Sequence, residues 1–312
     1  METIKTGLSV IVPVYNSQES LPLLVEEVSQ ILINHHEQFE IILVNDGSRD
    51  NSWKIIEDLS SIHPEVRGVN LIRNFGQHNA LLCGIRLATY SIIVTMDDDL
   101  QHPPSEIYKL VDEIRSGKDL VYASPKKETH SWWRNFSSNL SKWALKVSTH
   151  ITYAEKISAF RAFQTNLRDN FENFLNPYVS VDVLLSWGAT KIGFIEVDHH
   201  VRKSGVSQYT FRKLLKHAIN MLLGFSVLPL RIASILGFIF TLFGFIVLSY
   251  VLIRYFIQGG GVPGFSFLAS TIAIFSGIIL FVLGIIGEYL ARLYINMMSK
   301  PQYMISQTTE PK

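Results

Sequence analysis

The chain has 312 residues, 47% hydrophobic and 18% charged, with 28 Lys and Arg against 27 Asp and Glu. That composition excludes wholesale disorder, and without a strongly basic stretch it argues against nucleic acid as the main partner. The near-neutral sum hides two regimes, because residues 1–204 hold 20 basic and 25 acidic side chains whereas residues 205–312 hold 8 and 2.

In chain order, apolar and β-branched runs alternate with amphipathic stretches. The runs Leu8–Val14, Phe39–Val44, Val66–Ile72, Ser91–Met96, Leu120–Ala123 and Lys191–Val197 read as strands. Between them Leu21–Ile33, Trp53–Ile62, Ala80–Ala88 and Ser105–Ile114 carry helical periodicity. Such alternation predicts an α/β domain with a mostly parallel sheet covered by helices on both faces, whose ligands bind beyond the carboxyl ends of the strands. Cys83 is the single cysteine, which excludes an intramolecular disulfide and suits a reducing compartment; it falls in an apolar helical pattern and reads as a packing residue.

The apolar excess lies further on. Ile232–Ile253 and Phe265–Gly287 are free of charge until their ends and long enough, at about 1.5 Å per residue, to span a bilayer. Leu8–Val14 is too short and lacks a basic flank, so no secretory signal is expected there. Arg202, Lys203, Arg212, Lys213, Lys216 and Arg231 precede the first span, Arg292 and Lys300 follow the second, and the connection offers Arg254 alone. The bias predicts cytoplasmic termini. Tyr209–Phe225 gathers its apolar residues near one helical face, as a helix in the headgroup layer does, although a packing helix of the soluble domain would show the same pattern. The expected organisation is a cytoplasmic domain over 1–208, an interfacial helix over 209–228, spans over 229–257 and 265–291 joined by a loop at 258–264, and a short polar tail over 292–312. A literal G-x-G-x-x-G, Gly259 to Gly264, joins two spans rather than a strand and a helix, and reads as a turn.

Three turn segments follow strands: Pro13-Val14-Tyr15-Asn16, Asn45-Asp46-Gly47-Ser48 and Asp97-Asp98-Asp99. Three adjacent carboxylates are electrostatically costly unless a cation compensates them, and oxygen-only donors suit Mg²⁺ or Mn²⁺ held together with substrate phosphates. In an extended segment Asp97 and Asp99 would share a side and Asp98 point elsewhere.

These motifs, with Met96 to Pro104, Arg73-Asn74-Phe75-Gly76-Gln77-His78 and Ile285 to Tyr294, resemble the family 2 glycosyltransferases of GT-A fold, in particular the polyprenyl-phosphate glycosyltransferases, over nearly the whole chain. The undecaprenyl-phosphate 4-deoxy-4-formamido-L-arabinose transferases share the Gly-Gln-His element. The resemblance implies a Rossmann-like GT-A domain that transfers a sugar from a nucleotide sugar, UDP-linked in the bacterial branch, to undecaprenyl phosphate at the bacterial inner membrane, with inversion. It implies that Pro13, Tyr15, Asn16, Asp46, Asp97 and Asp98 surround the nucleotide sugar. Asp97, Asp99 and Gln101 would hold the metal. Arg161, in Ser158 to Phe163, and Arg202, in Arg202-x-x-Gly205-x-Ser207-x-Tyr209, would meet phosphate, with Arg134, Ser207 and Tyr209 on the acceptor side. It also implies a homotetramer. Ala159 stands where some relatives have an acidic residue, so no base is available there. A processive polysaccharide synthase is the nearest alternative, but its Gln-x-x-Arg-Trp motif is absent; a catalytically silent scaffold of the same fold is the other, and the intact acidic triplet argues against it.

Overall fold

The computed structural model describes residues 4–125, 156–198, 226–258, 264–298 and 300–309. The expected sites Arg134, Arg202, Ser207 and Tyr209, the interfacial helix up to residue 225 and most of the glycine-rich turn lie outside them. The described residues fall into two compact units: one takes in 4–125, 156–198 and 300–309, the other 226–258 and 264–298.

The first unit is built on a sheet of eight strands in the order β7-β5-β6-β4-β1-β2-β3-β8. Strands β1 (Lys5–Val14), β2 (Phe39–Asn45), β3 (Val66–Leu71) and β4 (Tyr90–Thr95) pair in parallel, as do β5 (Leu120–Pro125) and β7 (Ile192–Val197). Between β1 and β4 run α1 (Leu21–Asn34), α2 (Ser52–Ile62) and α3 (Gln77–Leu87), and α4 (Ile107–Arg115) follows β4. Strict alternation along the buried strands feeds two cores. Val10, Val12, Val14, Ile41 and Leu43 pack on one face with Leu24, Val28 and Leu32 of α1 and Leu110 and Ile114 of α4. Ile11, Ile42 and Val44 pack on the other with Leu81, Leu82 and Ile85 of α3. Because both faces are covered, these strands read as continuous apolar runs. Cys83 is fully buried in the second core, and burial pushes its thiol up to about 12, as a packing residue requires.

Two strands were not expected. Arg161–Gln164 forms β6, antiparallel to both β4 and β5, where the sequence had suggested only a segment beside the acceptor. Ile305–Thr308, in the supposed tail, forms β8, antiparallel to β3 at the sheet edge. The Thr309 hydroxyl accepts from the Gly68 amide at 2.6 Å and donates to Ser60 Oγ at 2.9 Å. Gln302 Nε2 donates to the carbonyls of Phe174 and Asn176, and Arg86 Nη1 donates to Gln302 Oε1 at 2.8 Å. A short helix, α5 (Val181–Ser186), lies between β6 and β7.

The second unit holds α6 (Leu228–Gln258) and α7 (Phe265–Met297), both long and apolar enough to cross a membrane. Their large apolar side chains are exposed, Phe238 at 71% and Phe256 at 80%. The helices meet through Phe240 and Phe275, edge to face at 6.3 Å between centroids, beside the small residue Gly244. Tyr289 Oη donates to the Ser226 carbonyl at 2.6 Å. Helix α7 continues past Ala291 to Met297, and Glu288 pairs with Arg292 one turn on, Oε1 to Nη2 3.2 Å.

Candidate active site

The loops that leave the carboxyl ends of β1, β2, β3 and β4 are knitted to one another by side-chain to backbone hydrogen bonds. Strand β4 ends at Thr95, so Asp97-Asp98-Asp99 occupies a turn rather than extended chain. Asp98 has partners different from those of its two neighbours. Its Oδ2 accepts from the Tyr15 amide at 3.2 Å and from the Ser17 hydroxyl, binding the triplet to the loop after β1. Burial holds the Asp98 carboxyl above the usual range, against the lowering effect of those two donors. Asp97 Oδ1 instead accepts from Gln77 Nε2 at 2.7 Å, and Asp99 Oδ1 accepts from the Gln101 amide at 3.2 Å.

Backbone strain is concentrated at these turns. Asn16 (φ 55°) and Leu100 (φ 57°) take left-handed conformations, each costing about 1–3 kcal/mol for a residue with a side chain. Asn16 offsets this locally: its amide donates to Ser48 Oγ at 2.9 Å and its Oδ1 accepts from the Arg49 amide at 2.8 Å. Leu100 is held by burial in the core, 6% exposed, directly after the triplet. Pro13 is buried within β1, and the half-buried Tyr15 follows that strand.

Asp46 was expected around the nucleotide. Its carboxylate is 3% exposed and accepts two backbone amides of the loop after β3, Phe75 to Oδ1 at 2.6 Å and Gly76 to Oδ2 at 2.8 Å. Burial raises its pKa, and the two amides draw it partly back. The loop approaches so closely that Gly47 (φ 65°) has no room for a side chain: a Cβ there would come within 2.5 Å of Arg73 and Asn74 backbone atoms. Sequence reasoning did not see that Asp46 fastens the loop leading to Gln77 and His78 at the start of α3; the signal was the Asp-Gly pair facing a second loop with a conformationally special glycine, Gly76 at φ 98°.

Arg161 was expected beside the acceptor phosphate. It is instead 1% exposed, its guanidinium held by the Asp182 carboxylate and by Thr95 Oγ1, the latter at 3.0 Å from Nε. Tyr122 Oη also donates to Asp182 Oδ1, at 3.2 Å. A strand interior cannot bury a guanidinium alone; burial acts to lower its pKa, and the charge of Asp182 outweighs that and raises it. The Asp97 charge acts on Arg161 in the same direction. His78 Nδ1 accepts from the Val181 amide at 3.3 Å.

The donor set suits a hard divalent cation. Mg²⁺ and Mn²⁺ are commonly held by one or two carboxylates completed by substrate phosphates and water, and Asp97 and Asp99 supply that number from one turn. Among the described residues no group of three or more His, Cys, Asp or Glu converges, so the turn does not offer an all-protein cage.

A mostly parallel sheet with an acidic turn at the end of a central strand is the Rossmann-like arrangement of a GT-A domain, and comparison with known proteins gives the family. The family model described as glycosyl transferase family 2 matches residues 9–174, more than half of the chain. The chain belongs to glycosyl transferase family 2. It is 30% identical over 308 residues to the undecaprenyl-phosphate 4-deoxy-4-formamido-L-arabinose transferase of Proteus mirabilis, covering 98% of this chain and 94% of that one. It is 32% identical over 306 residues to the transferase of the same name from Pectobacterium carotovorum, covering 97% and 93%. An uncharacterized glycosyltransferase of Synechocystis is 31% identical over 300 residues, covering 96% and 94%. Among solved structures, a mycobacterial protein shares the fold with a TM-score of 0.50 at 16% identity, over 70% of this chain and 74% of that one.

Proposed function

We propose that this chain transfers one sugar from a UDP-linked donor to a polyprenyl phosphate of the undecaprenyl class, at the cytoplasmic face of the bacterial inner membrane and with inversion at the anomeric carbon. The observation that carries this reading is the acidic turn after β4, fastened to the loops after β1 and β3, in a chain that also contains two long apolar helices. The near full-length match to transferases named for undecaprenyl phosphate supports the acceptor.

The acceptor needs little activation. A phosphate monoester has a second pKa near about 6, so at neutral pH its oxygen is largely an anion and no strong base is required. That oxygen attacks the anomeric carbon, the bond from this carbon to the diphosphate oxygen breaks, and UDP leaves with the electron pair. A divalent cation bound at Asp97 and Asp99, with Gln101 beside them, would neutralise the diphosphate as negative charge develops on it. Tyr15 and Asn16, on the loop that Asp98 fastens, line the nucleotide side together with Asp98. Arg134, Arg202, Ser207 and Tyr209 receive the acceptor phosphate, while the buried Arg161 acts through its neighbours.

In this proposal both the sheet unit and the residues after the second span lie in the cytoplasm. Support comes from β8: the chain leaves the sheet unit, forms two membrane-length helices, and rejoins the same sheet beside β3. Two crossings return it to the side from which it left. The purified protein incubated with undecaprenyl phosphate, Mg²⁺ or Mn²⁺ and a panel of nucleotide sugars is expected to give a glycolipid carrying one sugar, read by mass spectrometry. A polymer from any donor, or no glycolipid from all of them, contradicts the reading.

A further inference from the structure

Asp97 interacts with two groups, one by a hydrogen bond and one through its charge. On one side Gln77 Nε2 donates to its Oδ1 at 2.7 Å. Gln77 is the first residue of α3, and the loop before it is fixed from several directions. Asp46 accepts the Phe75 and Gly76 amides, Asn79 Nδ2 donates to the Phe75 carbonyl at 2.7 Å, and the Arg73 guanidinium lies 4.4 Å from the centre of the Phe75 ring. On the other side is the buried Arg161, whose charge interacts with that of Asp97 and whose guanidinium is held by Asp182. The residue before Asp182 is Val181, whose amide donates to His78, the neighbour of Gln77. The His78 to Val181 bond thus ties the start of α3 to the segment that carries Asp182.

A carboxylate on a turn has free rotation about its side-chain bonds unless something orients it. Metal-ligating groups are oriented by hydrogen bonds from residues that never touch the metal, and losing such a partner commonly weakens metal affinity about 10–100-fold. Here the neutral amide of Gln77 satisfies one lone pair of Asp97 without removing its charge, and the loop clamp gives that amide a fixed origin. We infer that Gln77 is a positioning residue for Asp97, setting the carboxylate for a divalent cation that it meets together with the donor diphosphate. This inference rests on the reading of Asp97 and Asp99 as the metal-holding pair.

The test is Mn²⁺ binding by calorimetry to the full-length protein in the presence of UDP, with UDP binding without metal and thermal melting as parallel measurements. Gln77→Ala is expected to raise the Mn²⁺ dissociation constant about 10–100-fold while leaving the melting temperature and metal-free UDP binding unchanged. Gln77→Glu keeps the length of the side chain but replaces the donor by a second negative acceptor, and is expected to lose the orienting bond as well. Unchanged Mn²⁺ affinity in both variants, with Asp97→Asn and Asp99→Asn strongly impaired, overturns the role of Gln77 alone. If Asp97→Asn and Asp99→Asn also bind Mn²⁺ as the wild type does, the metal-holding pair itself is wrong. Equal losses of melting temperature and UDP binding in the Gln77 variants would mark a purely structural contact and likewise overturn the inference.

Discussion

The sheet unit and the helix pair solve opposite solvation problems. In the sheet unit the large apolar side chains are inside, and the polar groups at the strand ends are satisfied by one another: Asp46 by two amides, Asp98 by an amide and a hydroxyl, Arg161 by Asp182 and Thr95. In α6 and α7 the apolar side chains face outward and the backbone satisfies itself within each helix. The difference shows where specificity resides. Exposed Leu and Ile on α6 can be exchanged among apolar residues, whereas the turn carboxylates each have named partners.

The sharpest way to break this contrast is a matched pair of truncations. Phe163→Ala, at a fully buried position, is expected to cost about 3–5 kcal/mol, whereas Phe238→Ala, 71% exposed on α6, should leave the sheet unit's melting unchanged; denaturant and thermal unfolding followed in detergent check both. Next in size is Asp99→Asn, expected to lower turnover by roughly 10²–10³-fold with little change in stability, measured as glycolipid formed per minute.

Asp46→Asn is expected to cost about 1–3 kcal/mol, because one of the two amides loses its acceptor. Its pH dependence has a definite sign. The folded-state pKa of Asp46 is raised, so its contribution to stability is greatest below the ordinary carboxylate range and is lost as pH rises through the folded value. Activity runs the other way, since a protonated carboxyl cannot accept both amides. Acidification should therefore reduce turnover before the protein unfolds, and the Asn variant should lack that limb in its pH–rate profile. The smallest effect is expected at the sheet edge: Thr309→Val removes the hydroxyl shared by the Gly68 amide and Ser60 and should cost about 1 kcal/mol, read as a lowered melting temperature.

The central strands were legible because they follow a local rule, continuous apolar runs between turn residues, and so was the place of the acidic triplet in the turn after β4. Strand β6 was not legible. An arginine inside a four-residue strand contradicts the apolar pattern, and its compensation by Asp182 and Thr95 exists only once the chain has folded. Strand β8, Ile-Ser-Gln-Thr, is exposed throughout and owes its form to the open edge of β3 and to Thr309 beyond it. Asp46 and Asp98 were read as nucleotide-side residues, but their hydrogen bonds to the loops after β3 and β1 could not be read from a linear chain. The Gln77 to Asp97 bond was hidden for the same reason, since it crosses from the start of α3 to the end of β4.

The central claim is that this site transfers the sugar of a nucleotide sugar to a lipid phosphate. The most direct measurement is UDP release from a nucleotide sugar by the purified protein in vesicles with and without undecaprenyl phosphate. Release that requires both the lipid phosphate and a divalent cation, with one glycolipid formed per UDP, is the predicted result. UDP release at the same rate without the lipid, or none from any UDP-sugar in its presence, would contradict the account.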